Sequence, residues 1–122
     1  MKTVETKNAP AAIGPYSQAK IVGDFVFCSG QIPVDPATGM IAQTITEQTR
    51  QACKNIAALL VAAGTSIEKV FKTTCFLADI KDFAEFNAEY EKFFTSKPAR
   101  SCVAVKDIPK GCLVEIEVIA EL

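Results

Sequence analysis

Between Leu113 and Glu121 the sequence alternates with a period of two. Val114, Ile116, Val118 and Ala120 form one set, while Leu113, Glu115, Glu117, Ile119 and Glu121 form the other. Successive side chains of a strand point to opposite faces of its sheet, so this strand has one wholly apolar face and one face that mixes acids with aliphatics. The apolar face must be covered by a second layer, and the chain contains two segments able to cover it. From Thr44 the period becomes helical: Thr44-x-x-Glu47 can close a capping box, Ala52, Ile56, Leu59, Leu60 and Ala63 recur at helical spacing, and Gly64 supplies a stop. Asp82-x-x-Glu85 opens a second helix with Phe83, Phe86, Tyr90 and Phe93 on one stripe, and Pro98 lies beyond its end.

The remaining elements are strands. A short one is expected near Thr3 to Thr6. Gln18–Val22 and Phe25–Ser29 flank Gly23-Asp24, a pair suited to a type II′ hairpin turn. Val70–Leu77 and Arg100–Val105 complete the set. The order β-β-β-α-β-α-β-β predicts an α+β sandwich, a mixed β-sheet with two helices on one face, much as in ferredoxin-like folds. With 122 residues and no repeat or linker, the chain has room for one domain, residues 1–122. Two helices cover only one face. The face carrying Leu113 and Ile119 among acids is too apolar for free exposure, so burial against copies of the same chain is expected.

What is missing narrows the chemistry. There is no His and no Trp, which removes Ser-His-Asp and Cys-His pairs and histidine-ligated zinc. Neither G-x-G-x-x-G nor G-x-x-x-x-G-K-[ST] occurs. The five cysteines (Cys28, Cys53, Cys75, Cys102 and Cys112) are odd in number and form no C-x-x-C pair, so they are read as reduced thiols in a reducing compartment. Thirteen basic and fourteen acidic side chains leave a net charge of −1 with no basic run, and nucleic-acid binding ordinarily needs one. No apolar run is long enough to span a bilayer, and residues Met1–Glu5 lack the apolar segment of a secretory signal. The chain is thus expected to be cytoplasmic, with no metal, no cofactor, no nucleic-acid partner and no membrane.

Three segments attract notice as carriers of chemistry. Ile13-Gly14-Pro15-Tyr16-Ser17-Gln18-Ala19 is a stiff turn that puts a tyrosine just before a strand. Cys28-Ser29-Gly30-Gln31-Ile32-Pro33 ends a strand in a glycine, where backbone can approach a ligand closely. Pro98-Ala99-Arg100-Ser101-Cys102-Val103 starts a strand with an arginine, and Glu115 follows on the last strand. Taken singly, Arg100 reads as a surface charge, Glu115 with Glu117 as a solvated stripe, and Tyr16 as packing.

In register, G-P-Y-S-Q-A, S-G-Q-I-P-V, D-F-A-E-F-N-A-x-Y-x-x-F-F, P-A-R-S-C-V and I-P-K followed by V-E-I-E resemble the Rid (YjgF-like) family of reactive-intermediate deaminases along essentially the whole chain. The resemblance implies a chorismate-mutase-like homotrimer with active sites in the clefts between subunits. It implies hydrolysis of 2-enamino and 2-imino acids to 2-keto acids and ammonia. Arg100 would grip the substrate carboxylate, Glu115 would hold and polarise water, and Tyr16, Ser29, Gly30 and Asn87 would line the pocket. Cys102 would contribute mainly backbone groups. A non-catalytic 2-keto-acid-binding or regulatory trimer is the alternative, and a translation-inhibiting ribonuclease or chaperone a third reading. The chain departs from the family at Phe94–Pro98, which is shorter than usual, with Lys97 standing where an aromatic commonly precedes Pro-Ala-Arg. That departure bears on the pocket rim and on substrate range.

Overall fold

A computed structural model describes all 122 residues. The strands are β1 (Lys2–Val4), β2 (Ala19–Val22), β3 (Phe25–Gln31), β4 (Val70–Leu77), β5 (Ala99–Ala104) and β6 (Val114–Glu121); the helices are α1 (Ile45–Ala63) and α2 (Phe83–Tyr90). They form one six-stranded sheet in the order β1-β2-β3-β6-β4-β5. All neighbours are antiparallel except β4 and β5. The last strand therefore occupies the middle of the sheet, and the Arg100 strand lies at its edge.

The period-two reading of the last strand holds. Val114, Ile116, Val118 and Ala120 are buried, each at most 2% exposed, and the alternate set is partly or fully exposed. Burying each of Val114, Ile116 and Val118 contributes roughly 1.5–3 kcal/mol. Their partners across the ladders, Val26 and Cys28 on β3 and Thr73, Cys75 and Leu77 on β4, share the same covered face. Helix α1 lies over this face with Ala52, Ile56, Leu59 and Leu60 turned inward. The Thr44 hydroxyl accepts the Glu47 N–H at 3.1 Å and donates to the Glu47 carboxylate at 3.0 Å. At the other end Gly64 stands at φ 91°, its N–H reaching the Val61 carbonyl while Thr65 N–H reaches Leu60, a Schellman closure.

Helix α2 opens after Asp82 and ends ahead of Pro98, as expected, but its side-chain cap and its buried aromatic stripe differ from the simple pattern. Asp82 makes no side-chain cap; the capping carboxylate is Asp79, which accepts the Lys81 N–H at 2.9 Å in a short 3-10 turn ahead of the helix. The buried aromatic ladder is Phe86, Tyr90 and Phe94 rather than Phe83 and Phe93. Phe86 and Tyr90 are spaced by 5.4 Å, and Tyr90 and Phe94 by 4.4 Å. The helix stops at Tyr90, and the tighter turn that follows carries Phe94, not Phe93, back over Tyr90.

The other face of the sheet is open in the single chain. Phe25 and Phe27 (each 43% exposed), Phe71 (41%) and Val103 (47%) lie on it, beside Ile119, Glu115 and Glu117.

Candidate functional site

Buried amides of α1 fix the two segments around Glu115. The Gln48 Oε1 accepts the Leu113 N–H at 2.7 Å, which anchors the start of β6. Asn55 donates to the carbonyls of Ile32 (3.1 Å) and Val34 (3.0 Å), which anchors the chain leaving β3. Between these anchors the β3–β6 ladder slips: Cys28 pairs with Val118 but Gln31 pairs with Ile116, so Ser29 and Gly30 together face one residue, Glu117. This bulge re-aims Gly30. A Cβ at position 30 would overlap the Glu115 Oε2 and lie 2.9 Å from Cδ, so the carboxyl occupies the space that only a glycine leaves open.

Glu115 receives no hydrogen bond from the chain's own donors. Burial, followed by the like charge of Glu117, pushes its carboxyl above the ordinary glutamate range. The Ser29 hydroxyl donates to the Ser17 carbonyl at 2.6 Å, and the Ser29 N–H to Gln18. Gln18, 4% exposed, holds the N-terminal strap through Thr6, Ala9 and Pro10. Tyr16 stands on this strap, 53% exposed, and shares a cleft of about 510 Å³ with Gly30.

Arg100 is built differently. Its strand partner is Thr73, so its side chain lies on the covered face, toward α2. Nη1 donates to the Asn87 Oδ1 at 2.7 Å, and the guanidinium carbon lies 4.9 Å from the Tyr90 ring, 5.5 Å from Phe83 and 5.9 Å from Phe86. The chain's two salt bridges, Arg50–Glu89 and Lys92–Glu89, do not include it. A cation held only by a neutral amide and π faces keeps its charge for a ligand. It opens into a concavity of about 460 Å³ rimmed by Glu91, Lys97 and Pro98. Lys97 adopts φ 53°, a left-handed conformation directly before a proline.

Cys102 sits two residues along β5 on the same face. Burial raises its thiol above the ordinary range, and the nearby Arg100 only partly offsets this. The other four thiols are buried and likewise raised, Cys28 and Cys75 to about 12, and all five are free. None has the lowered pKa of an activated nucleophile.

The named residues therefore fall into two groups. Tyr16, Ser29, Gly30 and Glu115 cluster about the β3 bulge. Asn87, Arg100 and Cys102 cluster under α2. Glu115 pairs with Phe76 and Arg100 with Thr73, so the two are separated by two strand spacings and three residues along β4, on opposite faces. That is roughly 14 Å between α-carbons at ordinary sheet dimensions. Tyr90 lies on the aromatic stripe expected as core; its phenol, one turn after Asn87, is the sequence signal of a polar role, because a buried hydroxyl needs a partner.

The family model described as endoribonuclease L-PSP matches residues 6–122. A 2-iminobutanoate/2-iminopropanoate deaminase of Salmonella typhimurium is 51% identical, covering 98% of this chain and 96% of its own. This chain belongs to the Rid family. Within that family a Lactococcus lactis protein named as a regulator, AldR, is 52% identical over 100% of this chain and 98% of its own. The crystal structure of Escherichia coli TdcF with bound serine superposes with a TM-score of 0.96 at 45% identity, covering 100% of this chain and 99% of that one. No helix of the chain is long and apolar enough to cross a membrane.

Proposed function

We propose that this Rid-family chain hydrolyses 2-enamino and 2-imino acids, such as 2-aminoacrylate and 2-aminocrotonate, to 2-keto acids and ammonia. It does so in the cytoplasm as a homotrimer with its sites between subunits. The observation that carries this reading is the uncompensated Arg100 guanidinium, caged by Asn87 and three aromatic rings and open on one side. A 2-imino acid presents a carboxylate, which the guanidinium fork can pair, next to an electrophilic C2.

Glu115 supplies the proton handling. It takes a proton from water as the O–C2 bond forms and the C=N π electrons move to nitrogen, and it returns that proton to nitrogen. On collapse of the carbinolamine Glu115 takes the hydroxyl proton and passes it to nitrogen, so that C=O forms, C–N breaks and ammonia leaves. One water is consumed and nothing is oxidised. An enamine first gains a proton at C3 and loses one from nitrogen to become the imine. A carboxyl whose pKa is raised toward the working pH is suited to both halves of this exchange. Tyr16, Ser29 and Gly30 line the water side, and Asn87 and Cys102 the carboxylate side.

The opposed faces of Arg100 and Glu115 support a site completed by a neighbouring subunit, because one chain cannot bring them to one substrate. The exposed Phe25, Phe27, Phe71 and Val103 support burial of that face in an assembly.

The regulator named among the relatives favours a second reading, a trimer that binds 2-keto acids without turnover. Binding a carboxylate, however, does not call for a desolvated acid beside Gly30. The ribonuclease in the family description finds little support here, since a net charge of −1 offers no phosphate footprint. A coupled assay decides: a dehydratase generates 2-aminoacrylate, and the rate of imine loss and ammonia release is followed with and without the protein. Acceleration supports the enzyme; tight 2-oxobutanoate binding with no acceleration supports the regulator.

A further inference from the structure

The Tyr90–Thr73 pair is not demanded by packing. A phenylalanine would complete the Phe86–Tyr90–Phe94 ladder equally well, and a valine would fill the place of Thr73 in β4. Instead a phenol, 7% exposed, and a threonine hydroxyl, fully buried, meet at 2.7 Å, and the Cys75 thiol donates to the Thr73 Oγ1 at 3.8 Å. Burial pushes the phenol up to about 12, so it stays protonated and neutral. Thr73 is also the strand partner of Arg100. The polar pair thus lies under the guanidinium, and Tyr90 is the nearest of the three rings, at 4.9 Å. An arginine on an edge strand has several free torsions. The Asn87 bond fixes one end of its fork, and the plane of the fork needs a second reference.

We infer that Tyr90 is a positioning residue for Arg100, its ring held beneath the guanidinium by a hydroxyl clamp to Thr73. This rests on the reading of Arg100 as the carboxylate anchor. The clamp orients the fork before the ligand arrives, so it acts on binding and leaves the proton transfers at Glu115 untouched.

The test pairs calorimetric titration with 2-oxobutanoate and imine-hydrolysis kinetics on wild type, Arg100→Ala, Thr73→Val, Thr73→Ser, Tyr90→Phe and the Thr73→Val/Tyr90→Phe double variant. Thr73→Val and Tyr90→Phe should each weaken keto-acid binding and raise KM by about three- to tenfold, the weight of a partly desolvated cation–π contact. kcat should stay within about twofold. Thr73→Ser, which keeps the hydroxyl, should restore the wild-type Kd, and the double variant should be no worse than the weaker single, because both remove one interaction. Should Thr73→Val fail to fold, Tyr90→Phe carries the same test. Binding that depends on Arg100 but ignores both clamp variants overturns the clamp, as does a loss confined to kcat. Wild-type binding that survives Arg100→Ala overturns the carboxylate reading and this inference with it.

Discussion

The Glu115 carboxyl lies directly against the α-carbon of Gly30, in the space a side chain at residue 30 would fill. The β3 bulge brings the two together, and the Gln48 and Asn55 anchors hold the bulge in place.

Gly30→Ala should therefore push the carboxyl out of the space it holds against residue 30 without unfolding the sheet. Turnover should fall by roughly 10- to 100-fold, part of the 10²–10⁴ weight of general acid–base help. The coupled imine assay, with circular dichroism as a control for folding, measures this. Wild-type turnover in the variant would mean that the acid works from elsewhere.

The raised pKa of Glu115 has a definite sign in two experiments. In its proposed role as a base Glu115 must be ionised, so kcat/KM should fall as pH drops through a value above the ordinary glutamate pKa of about 4.3. Glu117→Gln removes the secondary like-charge contribution and should move this limb to lower pH. For stability, a raised folded pKa means that the contribution of Glu115 is present at low pH and lost as pH rises through that value. Glu115→Gln should hence melt higher than wild type near pH 7, and the difference should vanish toward pH 4. A limb unmoved by Glu117→Gln would disconnect it from Glu115.

Because Arg100 and Glu115 lie on opposite faces, two inactive chains should rescue each other. Arg100→Ala and Glu115→Ala chains, mixed in equal amounts, unfolded and reassembled, should regain about a quarter of wild-type activity, since in a closed ring one interface in four receives both intact residues. Light scattering should give three chains per particle. Mixtures no more active than their parents would place both residues in one subunit's site or in none.

Thr49 on α1 is fully buried and its hydroxyl has no partner. Thr49→Val keeps the shape and removes the unsatisfied group, so stability should rise by about 1 kcal/mol, read as a shift of the urea midpoint at fixed protomer concentration. A midpoint that falls would show that the hydroxyl is satisfied in the assembled protein.

The local elements of this fold were legible in the sequence because short-range forces decide them. The alternation of Leu113–Glu121, the Thr44 and Gly64 ends of α1, and the Gly23-Asp24 hairpin all depend on neighbours within a few residues, and each lies where it was expected. The aromatic stripe of α2 is not decided locally: Phe93 and Phe94 are adjacent, and the turn after Tyr90 sets which of them packs on its ring.

The two halves of the candidate site could be named but not arranged. On β6 the contrast between buried and exposed sets announces the faces. On edge strand β5 neither set is fully buried, so no pattern tells which way Arg100 points. Its direction follows from the Thr73 pairing, that of Glu115 from the Phe76 pairing, and the Gly30 contact from a bulge opposite Glu117. These are contacts between strands distant in sequence. A shift of one residue in any of those pairings would exchange the faces, so the register of the assembled sheet, not the composition of any segment, set the relation of Arg100 to Glu115.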